Sequence, residues 1–255
     1  MLFGIPSVKD PVGSGAFAAD GIVQLALADV VQEVGDALVV MRDLCLDEYT
    51  DHGHCGVLSA DGAVDNDATL ELYGQVALAQ AAAGAAVVAP SGMMDGQVGM
   101  IRGALDGSGH TDTVILAYSA KYATALYGPF RDAVDVRIVG GGDRRAYQQN
   151  PANIRESLRE VQLDIEEGAD IVMVKPALAH LDVIAALRES VEVPVAAYHV
   201  SGEYSMIKAA AERGWVDGDA IALERLGASQ RAGGALILTS LAATVAGQLG
   251  SVHDA

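Results

Sequence analysis

The sequence predicts an α/β fold built on a parallel sheet, and three observations point to it. Apolar runs of strand length recur along the chain, at Leu2–Ile5, Ala37–Met41, Ala85–Ala89, Thr113–Tyr118, Asp170–Val174, Val193–Val200 and Ala235–Thr239. Helix-length stretches with apolar residues at i, i+3, i+4 spacing separate them. Repeated strand–helix units of this kind imply parallel strands joined by right-handed crossovers. Finally, two of the four lysines, Lys121 and Lys175, stand at or just after the ends of such runs. Strand ends of that type face the active site in parallel α/β proteins.

The elements follow in order. The chain starts almost directly on the run Leu2-Phe3-Gly4-Ile5. Asp20 is a candidate cap for a helix through about Glu33, and Ala37–Met41 is the next strand. Asn66 is a candidate cap for Asp67–Ala83, with Gly84 as the stop. Pro151-Ala152-Asn153 opens a helix that ends near Gly168, where Glu-Glu-Gly-Ala-Asp reads as helix end, tight turn and strand start. The glycine run Gly140–Gly142 precedes Asp-Arg-Arg rather than a helix and reads as a mobile loop. No linker or repeat divides residues 1–255, so one domain is expected. Seven strands are one short of a closed (β/α)8 barrel, so a barrel reading leaves out one β/α unit at the N-terminus. An open doubly wound sheet is the alternative, but no Gly-x-Gly-x-x-Gly follows the first strand and no Walker loop is present.

Composition limits the function classes. A 255-residue chain that is 51% hydrophobic suits one large domain with a sizeable core. A net charge of −18 argues against nucleic acid and anionic membrane surfaces as partners. Two cysteines are no disulfide framework, no apolar run reaches a membrane span, and no signal peptide opens the chain, so a cytoplasmic location is expected.

A lysine held at a strand end, partly desolvated and beside another cation, loses proton affinity and can attack a carbonyl to form a Schiff base. The plainer alternative is two lysines reaching water at the rim of a sheet. Three loops supply further chemistry. Asp43 to Cys55 gathers both cysteines, two of the six histidines and several acids into 13 residues. Cys45, Asp47 and Cys55 there can converge on Zn²⁺ with a fourth position open; two reduced cysteines in a polar loop are the alternative. The phrases Tyr127-Gly-Pro-Phe-Arg131 and Gly142-Asp-Arg144-Arg145 bring three of the twelve arginines near Lys121. Arginine matches a carboxylate bidentately, so a carboxylic-acid substrate is expected; surface ion pairs are the bland alternative. Tyr198 and Ser201, in Tyr198-His-Val-Ser-Gly-Glu-Tyr204, offer hydroxyls to a second carboxylate, although a strand-end Ser-Gly is also an ordinary turn.

Together these phrases resemble the porphobilinogen synthase (5-aminolevulinate dehydratase) family. The matching segments are Asp43 to Gly56, Asp65-Asn-Asp-Ala-Thr-Leu-Glu, Ala89-Pro-Ser, Met93-Met-Asp-Gly, Tyr118-Ser-Ala-Lys-Tyr, Tyr127-Gly-Pro-Phe-Arg-Asp-Ala, Gly142-Asp-Arg-Arg, Val174-Lys-Pro-Ala-Leu and Tyr198-His-Val-Ser-Gly-Glu-Tyr. They run in family order over nearly the whole chain. The resemblance implies a (β/α)8 TIM-type barrel, usually an octamer supported by an N-terminal arm. It also implies the condensation of two 5-aminolevulinates to porphobilinogen, a lyase step of haem biosynthesis. By the same resemblance Lys175 forms the Schiff base at the P site and Lys121 at the A site. Arg131, Arg144 and Gln148 hold the A-side carboxylate, Tyr198 and Ser201 serve the P side, and Asp43 and Ser91 line the pocket.

The chain departs from the family pattern in four places. The metal loop is a mixed Cys45, Asp47, Cys55 set, between the three-cysteine zinc form and a form without that metal, so Zn²⁺ is expected and Mg²⁺ is the alternative ion. The arm and first β/α unit are not matched, which predicts a homo-oligomer smaller than the octamer or a poorly soluble protein. Ser240 stands where the family has a tyrosine on the P-side carboxylate, and in the phrase after Pro90-Ser91 Gly92 and Gln97 stand where it has an aspartate and an arginine. These departures keep two rivals in view: a non-catalytic paralogue or fragment, and a Schiff-base aldolase-like enzyme acting on another keto acid.

Overall fold

The computed structural model describes residues 1–140 and 142–253. Gly141, inside the glycine run expected to be a mobile loop, lies outside the described residues. In chain order the elements are α1 (Ile22–Val34), β1 (Met41–Leu44), α2 (Asn66–Ala82), β2 (Val87–Pro90), α3 (Gln97–Gly107), β3 (Val114–Lys121), α4 (Gly128–Ala133), α5 (Ile154–Glu166), β4 (Ile171–Lys175), α6 (Leu181–Ser190), β5 (Val195–His199), α7 (Ser201–Glu212), α8 (Gly218–Ala232), β6 (Leu236–Thr239) and α9 (Ala242–His253). The six strands pair in parallel in the order β1-β2-β3-β4-β5-β6. Each strand lies beside its predecessor, as in a barrel wound in one direction. A doubly wound sheet would reverse its order at a switch point.

β1 to β5 are largely buried on both faces and β6 is half-buried, which is why most of them read as continuous apolar runs. On one face Val87, Ala89, Leu116, Tyr118, Met173 and Ala196 form an inner cluster, with Tyr198, Leu236 and Leu238 packed against it. On the other, Leu44, Val88, Ile115, Ala117, Val172, Val174, Val195 and Ala197 pack against the helices through Tyr73, Ile101, Val161, Ile184 and Leu187. The alternation of these two sets along each strand is the period-2 pattern expected of a β-strand.

Several local expectations are corrected. Leu2–Ile5 forms no strand; Leu2 makes one parallel bridge to Arg42, with Leu2 N–H donating to Met41 O and Asp43 N–H to Leu2 O. The strand expected at Ala37–Met41 begins at Met41, because Gly35–Ala37 is a 3-10 turn. The helix after Asp20 is capped by Gly21 with no side-chain bond. The α2 cap is Asp65 rather than Asn66: its carboxylate accepts from Ala68 N–H at 3.1 Å. Asn66 instead bonds backbone groups of Asp95 in a neighbouring loop. The turn after α5 is as expected, with Gly168 at φ 106°, a left-handed conformation that suits glycine.

Candidate active site

The C-terminal ends of β1 to β4 converge on a closed interior space. It is lined by Asp43, Asp47, Glu48, Ser91, Lys121, Lys175, Arg131, Arg144, Tyr127, Phe130 and Phe3. The free volume is about 10 Å³, the room of a single water. Lys121 and Lys175 are direct partners in the β3–β4 register, and both are buried, at 4% and 5% exposure. They are not rim lysines reaching for solvent.

Lys175 sits among aromatic faces. Its Nζ lies 4.5 Å from the Tyr198 ring centroid, 4.9 Å from Tyr118, and 5.3 Å from both Tyr127 and Phe130. Burial, and next the charge of Lys121, brings this amine down from 10.5 to about 7, although Asp43, Asp47 and Glu48 pull the other way. Near pH 7 a substantial fraction is therefore a neutral nucleophile. Lys121 Nζ donates to the carbonyl of Ser91 and lies 5.6 Å from the Tyr118 ring. Ser91 Oγ donates to Asp43 Oδ2 at 3.1 Å. Burial raises the Asp43 carboxyl despite the attraction of Arg42 and the two lysines.

The metal-loop residues lie beside this space. The Sγ atoms of Cys45 and Cys55 and a carboxylate oxygen of Asp47 lie within 4.8 Å of one another, and all three residues are buried. Burial works against ionising Asp47, yet Arg144 and Lys121 hold its carboxyl well below the ordinary range. The Cys55 thiol is brought down to about 7, first by the hydrogen bond from Cys45 and, against its own burial, by Arg144. Cys45 is pushed up, chiefly by burial. Two thiols and an ionised carboxylate form a donor set that can hold a metal ion with a position left open. Arg144 spans this group: Nη1 pairs with Asp47 Oδ2 at 2.8 Å and Nη2 donates to Gly53 O at 2.7 Å.

The remaining sequence candidates fall around the rim. Arg131 lines the space directly. Gln148 is buried, but it faces a wide outer cleft shared with His54, Asp67, Arg145 and Glu160. Tyr198 reaches the space through its ring against Lys175, while Ser201 begins α7. Three groups at these positions are buried with no hydrogen-bond partner among the described residues: Arg131 Nε, Gln148 Nε2 and Ser201 Oγ. Ser240, beyond β6, is exposed.

Sequence reasoning missed Glu48 and the rings of Phe3, Tyr118 and Phe130. Glu48 is fully buried with both carboxylate oxygens unpartnered among the described residues, and burial raises its carboxyl well above normal. It stands between Asp47 and Tyr49 in a loop already singled out, so its position was legible even though its burial was not. Gly92 also gains a reason: a Cβ there would lie 1.7 Å from Tyr73 Oη, the hydroxyl that donates to Cys55 O at 2.7 Å.

The family model described as delta-aminolevulinic acid dehydratase matches residues 1–248. The delta-aminolevulinic acid dehydratase of Streptomyces coelicolor is 61% identical over 248 residues, covering 96% of this chain and 74% of that protein. The Mycobacterium tuberculosis protein of the same name is 57% identical over 251 residues, covering 98% and 76%. The crystal structure of the Toxoplasma gondii ME49 enzyme, in complex with its reaction product porphobilinogen, superimposes with a TM-score of 0.91 at 45% identity. It is matched over 92% of this chain and 67% of that one. The chain belongs to the delta-aminolevulinic acid dehydratase family.

Proposed function

We propose that this chain condenses two molecules of 5-aminolevulinate to porphobilinogen through Schiff bases on Lys175 and Lys121. The observation that carries the proposal is the adjacency of two buried amines, one of them brought to about 7 inside a ring of aromatic faces. The neutral Lys175 nitrogen attacks the ketone carbon of the first substrate, and the carbinolamine loses water to give the imine. Asp43, its carboxyl raised by burial and held by Ser91, is placed to supply the proton that leaves with the hydroxyl. Lys121 would form the corresponding imine with the second substrate. Each iminium withdraws electrons from the adjacent carbon and makes it acidic enough for C–C bond formation.

The unpartnered donors support the assignment of the carboxylates. Arg131 Nε and Gln148 Nε2 would meet the A-side carboxylate, and Ser201 Oγ the P-side one, where the Tyr198 hydroxyl would join it. A buried donor without a partner is costly, and a substrate carboxylate would relieve it. The Phe3–Phe130 pair, edge-to-face at 5.2 Å, walls the space beside Lys175 and would shape the room left for a substrate.

Cys45, Asp47 and Cys55 would hold Zn²⁺, with Mg²⁺ less suited to the two thiolates. Bound there, the ion would act as a Lewis acid on an oxygen ligand at its open position. The proposal extends to self-association in the cytoplasm. Exposed apolar side chains such as Trp215 and Met206 support association, and no helix among the described residues is long and apolar enough to cross a membrane. Light scattering reads the assembly, and a strictly monomeric chain would overturn this reading.

Incubation with 5-aminolevulinate, assay of the pyrrole product, and borohydride trapping with mapping of the modified lysine test the catalytic reading. Absence of both product and a Lys175 adduct would overturn it. An adduct formed only with a different keto acid would favour an aldolase-like enzyme.

A further inference from the structure

We infer that Gln149 is a positioning residue for Lys121, because it holds open the β-bulge that turns this lysine into the site.

Strict alternation along β3 would aim Lys121 the wrong way. Leu116 and Tyr118 belong to the inner cluster, and Ala117 packs toward the helices. Continued alternation would put Ala120 inside and Lys121 outside, among the helices. The observed pairing with β4 shifts register between Ala117 and Ala120. Ser119 meets Asp164 of α5, Ala120 packs with the helix-facing core, and Lys121 lines the inner space opposite Lys175. One extra residue has been taken up, and bulges re-aim the side chains that follow them.

A bulge releases backbone groups from the ladder, and buried groups so released need other partners. Gln149 supplies them on both sides of Lys121. Its side-chain Nε2 donates to Ser119 O at 2.9 Å, and its backbone N–H donates to Lys121 O at 3.0 Å. Its carbonyl accepts from Ala123 N–H at 2.9 Å. The amide is itself fixed, since Ser157 Oγ of α5 donates to Oε1 at 2.6 Å, and Ser157 also bonds the Tyr122 hydroxyl. Gln149 is 2% exposed and both ends of its amide are taken up, by Ser119 O and Ser157 Oγ, so it acts through Lys121 rather than on substrate. The functional consequence rests on the reading of Lys121 as a reacting amine.

Two variants of the full chain and one structure determination test this. Gln149→Leu keeps the bulk and removes the amide; Ser157→Ala leaves the amide in place and removes its anchor. Because misplacing a reacting group by about 1 Å can cost on the order of 100-fold, kcat is expected to fall roughly 10- to 100-fold in Gln149→Leu, and by a smaller factor in Ser157→Ala. The borohydride adduct on Lys175 should persist while that on Lys121 is lost. A crystal structure of Gln149→Leu should show the Ala117–Lys121 register altered. A kcat within twofold of wild type, parallel loss of both adducts, or an unchanged bulge with Lys121 still facing Lys175 would overturn the inference. If Gln149→Leu does not fold, the kinetics, adduct map and crystal structure of Ser157→Ala decide by the same criteria. If the wild type forms no pyrrole, the proposed function fails by itself, and the crystallographic comparison still decides whether Gln149 holds the bulge.

Discussion

Replacing Lys175 with methionine should make the protein more stable at neutral pH while abolishing its Schiff-base chemistry. The unfolded chain holds the lysine proton up to about 10.5, whereas burial and Lys121 bring the folded value to about 7. Between those two pH values the unfolded state binds more protons, so this group's contribution to stability rises with pH across the window. Below pH 7 its cost is fully present; above 10.5 it has vanished. Each pKa unit is worth about 1.36 kcal/mol, so the full cost is roughly 5 kcal/mol, a large share of the ~5–15 kcal/mol that holds a typical domain. Methionine has nearly the same length and no charge, and the surrounding rings of Tyr118, Tyr127, Phe130 and Tyr198 suit a thioether. Denaturant unfolding of wild type and Lys175→Met should be compared at pH 6.5 and 9.5. At pH 9.5 about one unit of the window remains, so the advantage of the variant should shrink by about 3 kcal/mol between the two pH values. A difference independent of pH would refute the reasoning, because it would mean that Lys175 keeps an ordinary proton affinity in the fold. The same reasoning predicts that trapping on Lys175 in the wild type rises with pH through about 7.

Three further perturbations have defined outcomes. Replacing Cys45 and Cys55 together with alanine should abolish stoichiometric zinc measured by elemental analysis, and unchanged zinc would place the ion elsewhere. Gly92→Asp forces Tyr73 to move, since the new Cβ would overlap its hydroxyl; a loss of about 1–3 kcal/mol is expected from overpacking, and an unshifted melting curve would contradict the packing argument. Burial raises the Asp164 carboxyl from 3.8 to about 7, so folding takes up a proton in that window and this group's contribution to stability falls as pH rises through it. Asp164→Asn should remove that slope, and a stability difference that stays flat between pH 4 and 8 would count against the buried carboxyl.

The amino-acid sequence by itself determined the chemistry and its approximate place. The apolar runs were long and β-branched because parallel strands are buried on both faces, so β2 to β6 were legible locally, as were the lysines that close two of them. The clustering of Cys45, Asp47 and Cys55 was legible because their spacing within one loop limits how far apart they can lie. Long-range pairing decided the rest. Leu2 has strand-like neighbours yet forms only a single bridge, to Arg42. Lys121 faces Lys175 only because a bulge, held by Gln149 from a segment almost thirty residues away, breaks the period-2 rule that sequence reading relies on. Arg144 pairs with Asp47 across nearly a hundred residues. The drop of Lys175 to about 7 has the same origin: desolvation and a neighbouring charge are properties of the three-dimensional surroundings, which only the folded chain assembles.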